Sequence, residues 1–379
     1  MSTRVATSQR HWPKLLTPGP ITTSVGVKAS MQFDSGSRDS AFIELTASLR
    51  HRLADLVDPT GGFTCVPMQG SGTFSVEAMV TSLLGPDDHL LVCANGTYGS
   101  RIEAIAQMAG IAHTTLASPE SGPTPLDELD KALEGDGTVS HVAIVHCETP
   151  AGVLHPLDDV CDVASRHGAR VLVDAMGTFG GIPFTPAANV DAVAASANKC
   201  LQGVPGLGFV LARPEALTRA ADFPVHSLSL DLVGQWRGLE ANGQFRFTPP
   251  THVMWALGTA LDELEAEGGP AGRYQRYRTN HLVLTDGMTR LGYRMLVDPG
   301  HQAPIIATFL SPTHADWDFR TFYDALVARG FAIYPGKLTE AETFRIGCIG
   351  DVDGDDMASV VTHIEEITVA STTAEPANH

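Results

Sequence analysis

Short apolar runs recur along the first two thirds of the chain, separated by segments with helical spacing. HLLVCAN (89–95), HVAIVHCE (141–148), ARVLVDA (169–175), VDAVAASA (190–197) and GLGFVLA (206–212) have strand length and few polar interruptions, the texture of strands buried on both faces. FTCVPM (63–68) is strand-like as well. SVEAMVTSLL (75–84) and LDDVCDVASRHG (157–168) predict intervening helices, and Gly168 falls where a helix stop is expected. Strand–helix alternation predicts an α/β fold: a mostly parallel sheet with helices on both faces.

The pattern changes near residue 265. LEAEGGPAGR (264–273) interrupts a helix with glycine and proline. APIIATFLS (303–311), WDFRTFYDALVARG (317–330), FAIYP (331–335) and TFRIGCIG (343–350) then predict a small α+β unit, closed by a helix over 355–368. The expected organisation is an N-terminal arm (1–14), a large domain (15–265), a small C-terminal domain (266–368) and a disordered, small and polar tail (369–379).

Composition excludes more than it assigns. The chain has 379 residues, 43% hydrophobic and 18% charged, a foldable mixture. Its 43 acidic against 25 basic residues give a charge of −18, which is no footprint for nucleic acid. No run approaches the roughly 20 apolar residues of a membrane span, and the first residues lack the apolar core of a signal peptide, so a cytoplasmic protein is expected. The six cysteines, at 65, 93, 147, 161, 200 and 348, form no CxxC pair. His141, His146 and His155 have no metal-ligand spacing, and no metal site is expected.

In such sheets ligands bind beyond the C-terminal ends of the strands. Lys199, one of five lysines, alone sits among small and apolar residues just after a buried-type strand. Desolvation there lowers a lysine's pKa and makes it a nucleophile toward a carbonyl cofactor; a lysine snorkelling at a strand end is the other reading. Asp174 ends a buried strand and needs a positive partner, such as a protonated pyridine nitrogen, unless it is a cap or an ion pair. QGSGTFSVEA (69–78) runs from a strand through Gly70, Ser71, Gly72 and Thr73 into a helix, whose first N–H groups can hold a phosphate. Ser75 takes the third glycine position of a dinucleotide fingerprint, and Asp87 and Asp88 precede the next strand, so a simple phosphate cup is preferred. Tyr98, directly after a strand, can stack on a flat cofactor or be an ordinary loop tyrosine. Arg345, between Phe344 and Ile346, can hold a carboxylate or phosphonate through a bidentate fork, or form a structural ion pair.

Together these strings carry a resemblance. LLTPGPITTS (15–24), QGSGT (69–73), NGTYGSR (95–101), VDAMGTFGG (173–181), SANKCLQGVPG (196–206), SLSLDL (227–232), RFTPPTH (246–252), YPGK (334–337) and FRIGCIG (344–350) resemble the 2-aminoethylphosphonate–pyruvate aminotransferases. These are fold type I enzymes dependent on pyridoxal 5′-phosphate (PLP). The resemblance runs from about residue 14 to 368, and it implies roles. Lys199 would hold PLP through its amine and Asp174 would pair with the pyridine nitrogen. Tyr98 would stack on the ring, and Ser71, Gly72 and Thr73 would cup the phosphate. Thr149 would lie near the ring hydroxyl, and Ser196 and Asn198 on the phosphate side. Thr251 would reach the partner subunit's phosphate across a homodimer interface. Arg345 would bind the substrate's acidic group, with Thr17 and Gly19 of the TPGP loop closing the pocket.

Three departures bear on the substrate. FDSGSRDSAF (33–42) carries Arg38 where the family has a tryptophan- and acid-rich stretch, His226 replaces an arginine, and Pro150 and Ala151 replace threonines. The competing readings are a sibling transaminase acting on phosphonoalanine, or on alanine or serine with glyoxylate, and a PLP-dependent lyase. A desulfurase would need a reactive cysteine, for which Cys348 is the candidate beside Arg345, although its apolar strand context points to burial.

Overall fold

A computed structural model of the chain describes residues 12–314, 317–336, 338 and 341–373. Seven strands form the central sheet: β1 (Thr64–Gly70), β2 (His89–Ala94), β3 (Ala112–Ala117), β4 (His141–Val145), β5 (Arg170–Asp174), β6 (Val190–Ser196) and β7 (Gly206–Ala212), in the spatial order β1-β7-β6-β5-β4-β2-β3. Only β7 runs against its neighbours. Its first residue, Gly206, therefore sits opposite Gly70, at the edge where the other strands end.

Each strand distributes its side chains between two cores, as a two-residue period requires. Val142, Ile144, Val171 and Val173 face one core, covered by the helices Ser40–Asp55, Leu157–Arg166 and Thr251–Ala266. Ala143, Val145, Leu172 and Ala194 face the other, beneath Gly72–Leu83 and Thr97–Ala109. Burial on both faces explains why these strands read as continuous apolar runs.

Two strand expectations are corrected. The run 141–148 is not one strand: β4 stops at Val145, and Cys147–Glu148 turns out of the sheet to pair with Val153–Leu154. The His146 N–H still reaches Asp174 O, so the departure begins where β5 ends. The edge strand β3 went unpredicted because AHTTLA is largely polar, as an edge with one neighbour allows.

The helix Thr251–Ala266 packs on the central sheet, whereas Leu284 and Met288 of the next helix, Gly269–Arg290, pack into a C-terminal core. That core also holds an antiparallel sheet of Ile306–Leu310, Thr343–Gly347 and Tyr334–Pro335. Lys14–Leu15 pairs with Phe331–Ala332, and Leu16 lies buried in the C-terminal core. The start of the expected large domain thus belongs with the C-terminal unit. The last helix, Gly354–Thr373, continues five residues into the expected tail. Residues 1–11 of the expected arm and 374–379 of the tail lie outside the described residues. No described helix is long and apolar enough to cross a membrane.

Candidate active site

At the C-terminal edge of the sheet lies a cavity of about 240 Å³. Ser71, Gly72, Thr73, Tyr98, Thr149, Asp174, Ser196, Asn198 and Lys199 all line it. They arrive on five chain segments, each emerging from or just after a strand end of β1, β2, β4, β5 or β6.

Lys199 follows β6 and is largely shut off from solvent. Burial lowers its pKa, against the opposing pull of Cys200 and Asp174, and the Arg345 guanidinium lowers it further. Its Nζ donates to Pro18 O at 2.8 Å. Gly19 lies against the same side chain; its φ is +123°, and a Cβ there would stand 2.6 Å from Lys199 Cδ. Only glycine takes that conformation at that distance. The TPGP loop is therefore a wall of the lysine's chamber, although neither Thr17 nor Gly19 lines the main cavity. Thr17 supports the loop itself, since its hydroxyl donates to Pro20 O.

Asp174 is buried at the end of β5. Its Oδ1 accepts the Met176 N–H at 2.9 Å, and burial pushes the carboxyl up to about 6 despite the nearby Arg101 and Lys199. A buried carboxylate with one backbone hydrogen bond is under-satisfied, and a cationic ring N–H facing it would supply the missing partner.

The β1–helix turn has the form of an anion cup. Gly70 takes a φ of +129°, which aims the chain into the helix Gly72–Leu83. Ser71 is its N-cap residue, yet the Ser71 side chain makes no capping bond. Its hydroxyl and the first N–H groups of a 12-residue helix are thus left for a ligand, and the helix dipole favours a negative one. Thr149 has a buried hydroxyl without a hydrogen-bond partner. An orphaned buried donor, an open cap and an under-satisfied carboxylate around one cavity fit a phosphorylated, ring-containing cofactor with a polar substituent.

Arg345 lies on the middle strand of the C-terminal sheet and is 2% exposed. Nε donates to Pro335 O at 3.1 Å, Nη1 reaches Thr149 O at 3.5 Å, and the guanidinium lies 5.8 Å from the Tyr334 ring centroid. Among the described residues no carboxylate pairs with it. Among the described residues, then, no ion pair holds this arginine, and Nη2 makes no hydrogen bond there.

Thr251 begins the helix Thr251–Ala266 and does not line the cavity of its own chain. Arg38 and His226 are exposed and stand outside it too. Cys348 is fully buried and desolvation raises its thiol pKa, so it cannot act as the exposed nucleophile of a desulfurase.

Two side chains that the sequence pattern did not mark shape the site: Arg101 lines the cavity, and Glu148 supports it from behind. Arg101, three residues past Tyr98 on the same helix face, lies 4.8 Å from the Tyr98 ring centroid and donates to Thr73 Oγ1 at 2.9 Å. It joins the stacking ring to the phosphate cup. Glu148 is fully buried and accepts the backbone N–H groups of Tyr98 at 3.1 Å and Gly99 at 3.3 Å, capping their helix from another segment. Burial pushes its carboxyl up to about 7 from an ordinary 4.5. Between those values the folded chain holds a proton that the unfolded chain has lost, so stability falls as pH rises through that window, by on the order of 3 kcal/mol. Cofactor-free Glu148→Gln is accordingly expected to lose less thermal stability than the parent between about pH 5 and pH 8. Asp174 titrates in the same direction in both proteins, so the difference between the two melting curves reports Glu148 together with its coupling to Asp174. Parallel curves would show that Glu148 does not carry the proton.

Comparison with known proteins assigns the family. The aminotransferase class-V family model matches residues 29–337. A 2-aminoethylphosphonate–pyruvate transaminase of Pseudomonas putida is 45% identical over 356 residues, covering 94% of this chain and 96% of its own. A second protein of that description, from Burkholderia lata, is 49% identical over 342 residues, covering 89% and 90%. The crystal structure of an alanine–glyoxylate aminotransferase from Nostoc sp. matches with a TM-score of 0.87 at 24% identity, over 96% of this chain and 97% of that one, which shows a shared fold. With a family match over most of its length and relatives near half identity across it, the chain belongs to the class-V aminotransferases.

Proposed function

We propose that this aminotransferase moves the amino group of 2-aminoethylphosphonate to pyruvate, releasing phosphonoacetaldehyde and L-alanine, with PLP as its cofactor. The relatives at 45% and 49% identity are described by that reaction. The observation that carries the reading is the buried guanidinium of Arg345, which has no carboxylate partner among the described residues and lowers the Lys199 pKa. That juxtaposition suits a substrate with an amine at one end and an anion at the other.

Ser71, Gly72 and Thr73 would hold the cofactor phosphate, with Ser196 and Asn198 beside them. Tyr98 would cover the ring, Thr149 would meet its hydroxyl and Asp174 its nitrogen. When bound, PLP supplies an electrophilic carbonyl and a ring that takes up the electrons released at the amine-bearing carbon. The protein supplies the proton chemistry. Desolvation lowers the Lys199 pKa, which favours its action as the base that would accept a proton from the donor carbon and return one to complete each half-reaction. Asp174 keeps a proton on the atom facing it. Arg345 orients first the phosphonate and then the pyruvate carboxylate, so that one pocket serves both half-reactions. The TPGP loop, through Pro18 O and Gly19, screens the lysine from water.

A homodimer belongs to the same proposal. Thr251 stands outside its own cavity; Val225, Leu228 and Phe247 are exposed apolar side chains in the segment before it, and the exposed Phe33 packs edge-on against Trp255 of the same helix, as a second copy would require.

Absorbance tests the function directly. The purified protein with PLP is expected to show a band at roughly 410–420 nm. 2-Aminoethylphosphonate should bleach it and pyruvate should restore it. Bleaching only by another amine would leave the site intact and make the substrate wrong. A protein that never acquires the band would remove the cofactor and the roles of Lys199 and Asp174 together.

A further inference from the structure

The loop that carries Lys199 is held from outside the cavity. Gln202, three residues on, is the one non-glycine residue with a positive φ (63°) among the described residues. A left-handed conformation strains a side-chain-bearing residue, and glycine would adopt it without that strain. Gln202 is nevertheless buried, and its bonds account for the conformation. Its backbone N–H donates to Lys199 O at 2.9 Å, closing a turn on the lysine. Its Nε2 donates to Tyr277 Oη at 2.7 Å and to Gly350 O at 2.8 Å.

Each partner leads to a functional segment. Tyr277, on the helix Gly269–Arg290, donates its hydroxyl to Cys200 O at 3.3 Å, beside Lys199. Burial pushes that hydroxyl up to about 12, so it remains a neutral donor. Arg273 on the same helix donates to Cys200 O at 2.7 Å. Gly350 lies five residues beyond Arg345, and the next N–H, that of Asp351, donates to Thr22 O in the segment that follows the TPGP loop. The Gln202 amide thus joins the lysine's loop, the long helix and the segment leading from Arg345.

We propose that Gln202 is a positioning residue, fixing the Lys199 amine relative to Arg345 so that a substrate held at its anionic end presents its amine-bearing carbon to the lysine. This rests on the roles given above to Lys199 and Arg345. Gln202 touches neither the cavity nor the reacting atoms and acts through the lysine.

Two variants of the PLP-loaded protein test the proposal. Gln202→Gly keeps the left-handed turn and removes both side-chain bonds; Tyr277→Phe keeps the packing and removes the hydroxyl. Both are expected to fold and hold PLP, with kcat lowered roughly 10- to 100-fold and KM for the donor within about twofold, because misplacement of a reacting group costs rate rather than affinity. The pH midpoint of the absorbance band, which reports the ionisation at Lys199 without any substrate, should shift in each. The double variant should lose less than the product of the two single losses, since the two variants share the Gln202–Tyr277 bond. An unchanged band midpoint with kcat within twofold of the parent in Tyr277→Phe would overturn the proposal, even if Gln202→Gly proved unstable. A parent whose band ignores 2-aminoethylphosphonate would overturn the substrate reading alone, and the shift of the midpoint would still decide the role of Gln202.

Discussion

Lys199→Ala is expected to abolish turnover while leaving a folded protein that still takes up PLP. The side chain makes one hydrogen bond, to Pro18 O, so its removal opens a small void beside Gly19 and little else. The phosphate cup, Asp174 and Tyr98 are untouched, and they should retain the cofactor without a covalent link. Missing is the group that moves the proton at the substrate carbon, and removing such a base together with the covalent attachment lowers kcat by on the order of 10⁴-fold. Lys199→Arg should be equally inactive, because a guanidinium stays protonated at working pH. Small primary amines added to Lys199→Ala should restore part of the rate, in proportion to their basicity and inversely to their size. Single-turnover absorbance of the loaded variant, with and without amine, measures both. Activity within tenfold of the parent and no response to amines would take the proton transfer away from Lys199.

That prediction rests on a residue the sequence already marked, and the reason shows what a sequence can convey. Lys199, Asp174 and Ser71–Thr73 each follow a strand buried on both faces, and that burial writes itself as an apolar run. A charged or glycine-rich break after such a run is visible without coordinates, and topology brings all such breaks to one edge. Arg101 and Glu148 were not visible for the opposite reason. Arg101 looks like any surface arginine until the helix turn places it against Tyr98. Glu148 sits inside what reads as a single strand, 141–148, and only the bend after Val145 turns its carboxylate onto the Tyr98 helix. The family resemblance implied that Thr17 of the TPGP loop closes the pocket, and its hydroxyl here bonds within its own loop. The N-terminal strand Lys14–Leu15 was missed because its partner, Phe331–Ala332, lies more than three hundred residues away, a pairing that no local pattern encodes.

Arg345→Gln tests the other half of the site, and it should move activity and stability in opposite directions. In the cofactor-free chain the guanidinium is buried without a counter-charge among the described residues, and desolvation lowers its pKa. An unpaired buried cation costs several kcal/mol, which an amide of similar reach does not incur. The thermal midpoint of cofactor-free Arg345→Gln should therefore equal or exceed that of the parent. Binding should suffer in proportion to what is lost. A bidentate, charge-assisted contact to a phosphonate or carboxylate contributes about 3 kcal/mol, so KM for 2-aminoethylphosphonate and for pyruvate should each rise about 10²-fold. Arg345→Lys should recover only part of this, since a point charge cannot present two parallel donors. The two Michaelis constants must rise together, because one arginine is assigned to both acids in turn. A rise in only one would mean that donor and acceptor are held by different groups, and a fall in thermal stability would mean that the arginine was placed for the fold rather than for the ligand.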